Sequence, residues 1–271
     1  MQLTEEQRTF YGSSGFLFLP GYFSVAEIDW LRVPLATIFA EDTPRRVFER
    51  DRTTVRSVFG SHETHSVFRD LVREPRLVRP ARELLGADVY VHQFKLNAKE
   101  KFSGDLWAWH QDFIFWLRED GIATPAMTTA ILFLDEVTEF NGPLFLIPSS
   151  HTEGVIETQG SAAVPEEYAA APTWISNLIA DIKYPLQREI VARSAREHGI
   201  VSVRGAAGSV LFFHPNTFHA SPPNLSPFDR VLALVTYNSV HNRPRRVNNP
   251  RPDFLCGRNY APIECEEMPR L

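Results

Sequence analysis

The chain has 271 residues, of which 44% are hydrophobic, 12% aromatic and 23% charged, with a formal net charge of -5. That composition belongs to a globular chain and excludes a disordered or collagen-like one. The acidic balance argues against nucleic acid or an anionic membrane surface as partner, and no apolar run is long enough to span a bilayer.

The opening, Met1-Gln-Leu-Thr-Glu-Glu6, is acidic and has no signal-peptide pattern. Cys256 and Cys265 sit close together near the C-terminus, which is no disulfide framework and suits a reducing compartment. A soluble cytoplasmic protein is expected, folded as one domain over residues 1–271.

Thr4-Glu-Glu-Gln7 reads as a capping box opening a short helix, and Ser24-Val-Ala-Glu27 as a second one. Between them Gly15-Phe-Leu-Phe-Leu-Pro20 reads as a buried strand. Residues 44–56 are rich in arginine and acid and predict a solvated loop or edge strand. Val67 to Leu85 predicts one helix broken near Pro75, with Gly86 after its end. Residues 87–97 alternate, placing Gln93, Lys95 and Asn97 on one face of a half-buried strand.

Asp105 to Trp116 is aromatic and β-branched, and predicts a strand. On a strand, residues i and i+2 share a face, so His110 and Asp112 project side by side with Ala108, Ile114 and Trp116. Met127 to Asp135 and Leu144 to Ile147 predict two strands joined as a hairpin through Asn141-Gly142. From Glu157 to Gly199 alanine and charge replace the strand pattern, predicting a helical insertion or lid. Gly208 to Phe213 and Asp229 to Asn238 are the last clear strands. Roughly eight short strands with helices outside them and no βαβ alternation predict a mainly β fold with flanking α-helices, built on a double-stranded β-helix (jelly-roll, cupin-like) core.

A lone His-x-Asp arises easily by chance as a polar strand face. Three features change the balance. The pair lies in an apolar strand, where an unpartnered carboxylate is costly to bury. His219 follows late in the chain beside another strand. Arg230 opens the last strand, eleven residues further on. Two histidines and a carboxylate form the facial triad of non-haem Fe(II) oxygenases, which leaves open positions on the metal. The 1-carboxylate and keto group of 2-oxoglutarate chelate such an iron, and its distal carboxylate needs a cation, which Arg230 supplies. Ser221, two residues beyond His219, is a further contact if the strand continues past it. Trp116 is the best aromatic wall for a small substrate, with a plain core role about as well supported. His62, His65, His92, His151, His198, His214 and His241 fit structural or exposed roles better than metal binding. No phosphate-binding glycine loop and no zinc Cys-x-x-Cys competes.

Arg52-Thr-Thr-Val-Arg56, residues 88–98, Trp107-Ala-Trp-His-Gln-Asp112, Phe115-Trp-Leu-Arg-Glu-Asp-Gly121, Glu139-Phe-Asn-Gly-Pro143 and Pro250-Arg-Pro-Asp-Phe-Leu255 together resemble the phytanoyl-CoA dioxygenase-like group of Fe(II)/2-oxoglutarate oxygenases over nearly the whole chain. Within it the chain is most similar to bacterial hydroxylases of free amino acids, proline and leucine among them, with ectoine hydroxylases a more distant likeness. The resemblance implies Fe(II), 2-oxoglutarate and O2 as cofactor and cosubstrates. It also implies His110, Asp112 and His219 as iron ligands, and Arg230, Ser221, Lys95 and Asn97 around 2-oxoglutarate. Gln93, Trp116 and Asn238 would line the substrate pocket. Ala220 after His219 and Ser149 at the hairpin end depart from the usual glycines of the group without removing a ligand. The expected reaction is hydroxylation of an unactivated C–H bond of proline or pipecolate, with leucine next. An ectoine hydroxylase, an oxygenase of a carrier-bound substrate and a non-catalytic jelly-roll binding protein are the alternatives. Oligomeric state is not legible.

Overall fold

The computed structural model describes residues 2–158, 160, 172, 174, 175, 178–180 and 182–269. Its strands are β1 (Phe16–Leu19), β2 (Arg46–Phe48), β3 (Val55–Phe59), β4 (Val89–Lys99), β5 (Trp107–His110), β6 (Met127–Phe133), β7 (Leu144–Leu146), β8 (Val201–Val203), β9 (Val210–Phe213), β10 (His219–Ser221) and β11 (Arg230–Ser239). They form two antiparallel sheets: one of seven strands in the order β1-β9-β6-β11-β4-β3-β2, one of four in the order β5-β10-β7-β8. This is the expected jelly roll with flanking helices.

Side-chain alternation assigns the two faces of the large sheet. Leu211, Phe213, Leu232 and Leu234 point between the sheets and pack with Ile131, Phe133 and Leu146. Their neighbours Phe212, Ala233 and Val235 point the other way, where Leu71, Leu77, Val78 and Ala81 of the outer helices cover them. With both faces covered, all ten residues of β11 are buried. Burying one leucine-sized side chain contributes about 1.5–3 kcal/mol, so this doubly covered sheet is the rigid frame of the molecule.

Local chemistry places the helices. Both expected capping boxes form, Thr4 with Gln7 and Ser24 with Glu27. The expected break in the helix after Val67 is real: one helix spans Ser66–Leu71, and the next, Pro75–Leu85, starts on Pro75 and ends at Gly86 in the left-handed region. In the region of the expected insertion, Arg188–His198 is helical. Residues 159, 161–171, 173, 176, 177 and 181 of that expectation lie outside the described residues.

Three expectations are corrected. The strand from Asp105 stops at His110, and Phe113–Phe115 and Trp116–Asp120 turn into an α-helical and then a π-helical stretch. The aromatic run has no strand partner there: β10, the neighbour of β5, pairs only from His219 to Ser221. Asn141-Gly142 makes no hairpin, because β6 belongs to the large sheet and β7 to the small one. The segment crosses between sheets, and the Asn141 side chain accepts from Thr138 N and donates to Glu136 O. Finally, the polar stretch 44–56 is not all solvated. Arg56 and Glu49 are buried and paired at 2.8 Å, and the Arg56 guanidinium stacks 3.7 Å from the Trp107 ring centroid.

Candidate active site

His110 ends β5, His219 opens β10, and the two residues are register partners in adjacent antiparallel strands. Their rings lie 4.0 Å apart between centroids. Asp112 reaches the same point by another route from that expected. Strand alternation does not bring it there; the chain turns into helical backbone at Asp112 (φ -70, ψ -35). The ligand atoms of His110, Asp112 and His219 all fall within 4.8 Å of one another.

The tautomers follow from hydrogen bonds. His110 Nδ1–H donates to Ala108 O at 2.6 Å, and His219 Nδ1–H donates to Thr217 O at 2.9 Å. Both Nε2 atoms are thereby left with a lone pair facing Asp112 Oδ1, at 3.7 and 3.8 Å. Fixing imidazole orientation through a carbonyl on the far nitrogen is how metal-binding histidines are commonly held. Burial holds the pKa of His110 well below the ordinary histidine range, with His219 adding to the effect, and burial also lowers that of His219. Neutral imidazoles beside a carboxylate suit a divalent cation better than they suit one another.

The cavity at the triad is lined by Lys95, Asn97, Trp107, Ile131, Leu144, Phe213, Ser221, Arg230, Leu232 and Leu234 as well as the three ligand candidates. Its free volume is about 40 Å³, the space of a water or two. Arg230, Leu232 and Leu234 line it because they alternate on β11, and Lys95 and Asn97 because they alternate on β4. Arg230 Nε and Asn97 Oδ1 are buried without a partner among the described residues. Burial, reinforced by Arg56 and opposed by Asp135, brings the pKa of Arg230 down to about 9. A buried guanidinium with an open donor is a fit for an incoming carboxylate, whose charge would offset the burial. Ser221 is in β10, as expected if the strand continued, and its hydroxyl donates to Gly142 O at 2.9 Å.

Gln93, Trp116 and Asn238 do not line this cavity. Gln93 Nε2 donates to Leu255 O at 2.7 Å, and Asn238 Nδ2 donates to Tyr90 Oη and Asn242 O at 2.8 Å each. Trp116 does not look into the barrel beside His110. It packs with Phe113, Ile122 and Met127, edge-on to His92 at 5.6 Å, because the helical turn after Asp112 ends the strand alternation.

Sequence reasoning missed two features. Lys99 is buried and donates to Asp105 O and Pro222 O, joining the approach to β5 to the exit from β10. Burial, then Arg230 and Arg56, bring its pKa down to about 6. Its place two residues after Asn97, continuing the alternation of Lys95 and Asn97, was the signal the sequence carried for it. The second feature is a buried network at the far end of β4. His92, at a bulge opposite Thr236 and Tyr237, donates to Asp120 at 3.0 Å, and the Arg251 guanidinium grips Asp120 through two nitrogens. Burial alone would raise the pKa of Asp120; Arg251 and His92 overcome it and hold it at about 2. Arg251 also lines a separate cavity of about 360 Å³ with Arg245, Arg246, Arg258 and Cys256.

Comparison with known proteins agrees with this geometry. The phytanoyl-CoA dioxygenase family matches residues 11–232. The chain is 38% identical over 261 residues to the L-proline trans-4-hydroxylase of Streptomyces griseoviridis, covering 96% of this chain and 95% of that protein. It is 34% identical to the ectoine dioxygenase of Bordetella parapertussis, covering 94% of this chain and 83% of that one. The crystal structure of EctD from S. alaskensis with 2-oxoglutarate and 5-hydroxyectoine superposes with a TM-score of 0.83 at 31% identity, covering 98% and 88% of the two chains.

Proposed function

The chain belongs to the phytanoyl-CoA dioxygenase family and is a non-haem Fe(II)/2-oxoglutarate dioxygenase; from that premise we propose that it hydroxylates a free amino acid, L-proline or L-pipecolate first and L-leucine next. The observation that carries the substrate is the 38% identity to a proline hydroxylase along 96% of the chain. In this reading His110, Asp112 and His219 hold the iron. Bound iron with 2-oxoglutarate and O2 supplies the oxidising power for hydroxylation of an unactivated C–H bond.

The chain's own residues bind, orient and exclude water. Arg230 grips the distal carboxylate of 2-oxoglutarate, with Ser221, Lys95 and Asn97 beside it. Trp107 beside His110 and Phe213 beside His219, with Leu234, keep the metal end of the cavity dry, which strengthens each charged contact there. Thr217 O and Ala108 O hold the imidazole tautomers through the cycle. Gln93 through the Leu255 segment, Trp116 against His92, and Asn238 through Tyr90 and Asn242 shape the substrate side from behind.

Two other substrates have an observation of their own. Ectoine is favoured by the 0.83 superposition on EctD with 5-hydroxyectoine. A carrier-bound or coenzyme-linked substrate is favoured by the arginine-lined cavity around Arg251. The test is a turnover panel with Fe(II), ascorbate, 2-oxoglutarate and O2, offering proline, pipecolate, leucine and ectoine separately. Mass spectrometry reads one added oxygen, and succinate release is followed in parallel. One added oxygen on proline or pipecolate is expected. A product from ectoine alone, or succinate without any hydroxylated amino acid, would reject the amino-acid reading and keep the iron chemistry.

A further inference from the structure

We propose that three loops at one end of the barrel form a contact through which two copies of this chain pair about a twofold axis. The loops are residues 100–106 between β4 and β5, 134–143 between β6 and β7, and 222–229 between β10 and β11. They are knitted into one surface by backbone hydrogen bonds. Leu225 N–H donates to Phe140 O at 2.9 Å, Phe102 N–H to Ser226 O at 3.1 Å, and Asn224 N–H to Gly104 O at 2.9 Å. The Asn224 side chain adds bonds to Lys99 O and Phe228 O. The frame is therefore stiff, and its polar groups are used internally.

From this frame four large apolar side chains point into solvent: Phe102 is 70% exposed, Phe140 63%, Leu225 75% and Phe228 68%. Together they leave roughly 500 Å² of apolar surface in one place, toward the upper end of what a monomer's largest patch shows. Phe102 holds a left-handed backbone (φ 57), a conformation unfavourable for a bulky residue. A chain that strains a residue to expose a phenyl ring has a use for the ring.

Area and charge argue that the occupant is a second copy. The apolar patch covers more than half of the roughly 800 Å² that each partner contributes to a stable interface, and the polar residues around it supply the rest. The central loop carries Leu225 N–H and Ser226 C=O on successive residues, whose bonds run to different flanking loops. Lys101 thus lies on the Phe102 flank and Glu139 on the Phe140 flank, both exposed. A twofold axis through the patch sets each copy's Lys101 against the other's Glu139, twice, in exchange for the half-exposed Glu139–Arg204 contact at 3.7 Å within each copy, while phenyl rings meet across the centre. A lipid surface is the poorer fit. Glu100, Glu136, Glu139 and Asp229 outnumber Lys101 and Arg204 around the patch and would be repelled by anionic headgroups.

The experiment is sedimentation velocity on the full chain at about 10 µM, a concentration at which a micromolar or tighter contact is populated. Twice the chain mass is expected. Phe140→Asp with Leu225→Asp should give a single-mass species with unchanged circular dichroism and turnover, whereas Val25→Asp, at another exposed apolar position, should leave the dimer intact. Lys101→Glu alone and Glu139→Lys alone should each weaken pairing about tenfold, and the two together should restore it, as only a self-complementary contact allows. A monomeric wild type, a dimer indifferent to the Phe140/Leu225 changes, a charge swap that fails to restore pairing, or a monomer that instead sediments with zwitterionic vesicles would each overturn the proposal.

Discussion

At the residue scale the site rests on which lone pairs and donors are left free. Two carbonyls consume the Nδ1 protons of His110 and His219, so both Nε2 atoms face Asp112. Replacing Asp112 by Ala removes the one anionic member of the candidate triad. Metal analysis should show iron content lost and succinate release down by more than about 100-fold, beyond the range seen when only an outer partner of a ligand is removed. Arg230→Gln keeps a donor but loses the charge. A charge-assisted pair contributes about 1.5–3 kcal/mol, so KM for 2-oxoglutarate should rise about 10–100-fold while iron binding stays normal. Asp120 predicts an acid dependence. Its folded pKa, about 2, lies below the ordinary aspartate value of about 3.9, so its contribution is present above pH ~4 and is lost as pH falls toward 2. Urea titrations between pH 6 and 2.5 should show most of that loss, about 1.5–2 kcal/mol, and Asp120→Asn should abolish this part of the slope. The same variant leaves the Arg251 charge buried and unpaired, so it should cost about 3–5 kcal/mol at pH 7.

Elements bring these residues together by two different rules. Strand alternation is the first: Arg230, Leu232 and Leu234 on β11, and Lys95 and Asn97 on β4, were legible as faces because a two-residue period repeats in the sequence. The second rule is termination. Asp112 reaches the triad because β5 ends two residues earlier, and an aromatic run of β-forming residues carries no mark of where its pairing partner stops. Gln93, Lys95 and Asn97 do share a face, and the alternation breaks only before Gln93, at the bulge at His92, which the sequence does not announce. Asn141-Gly142 shows the same limit: a hairpin signature was used for a crossing between sheets, since its neighbours are drawn to different partners. Gly142 has φ 78, and a Cβ there would meet Lys99 Cδ at 2.6 Å and Pro222 O at 2.8 Å. Gly142→Ala should therefore push the crossing away from Ser221, which bonds Gly142 O. KM for 2-oxoglutarate should rise several-fold, and stability should fall by about 1–3 kcal/mol in denaturant titration.

Across the whole molecule, two antiparallel sheets close around the small cavity and helices seal the outer face of the larger one. The candidate ligands come from β5, the turn after it and β10, so the metal would join segments 109 residues apart in sequence, from His110 to His219. A ligand that binds only the folded state stabilises it by about 2.7 kcal/mol at 100 times its Kd. For a chain of this size that is about 5–10 °C in Tm, so removal of iron by a chelator under argon should lower Tm by that amount, and Mn(II) or Fe(II) should restore it. The Asp112→Ala variant should show no such metal-dependent shift.

Composition, periodicity and a handful of side-chain types determined the fold class, the two histidines and the aspartate of the candidate metal site and the arginine of its cavity, because apolar alternation and metal-ligand chemistry are both written in residue identity. Tertiary structure alone decided where β5 ends, that Trp116 faces His92 and not the barrel, that Arg251 turns inward onto Asp120, and that three distant loops share one exposed apolar surface. Each of these depends on which segments meet across the sheets, a long-range choice set by the sum of packing and pairing energies rather than by any local run of residues.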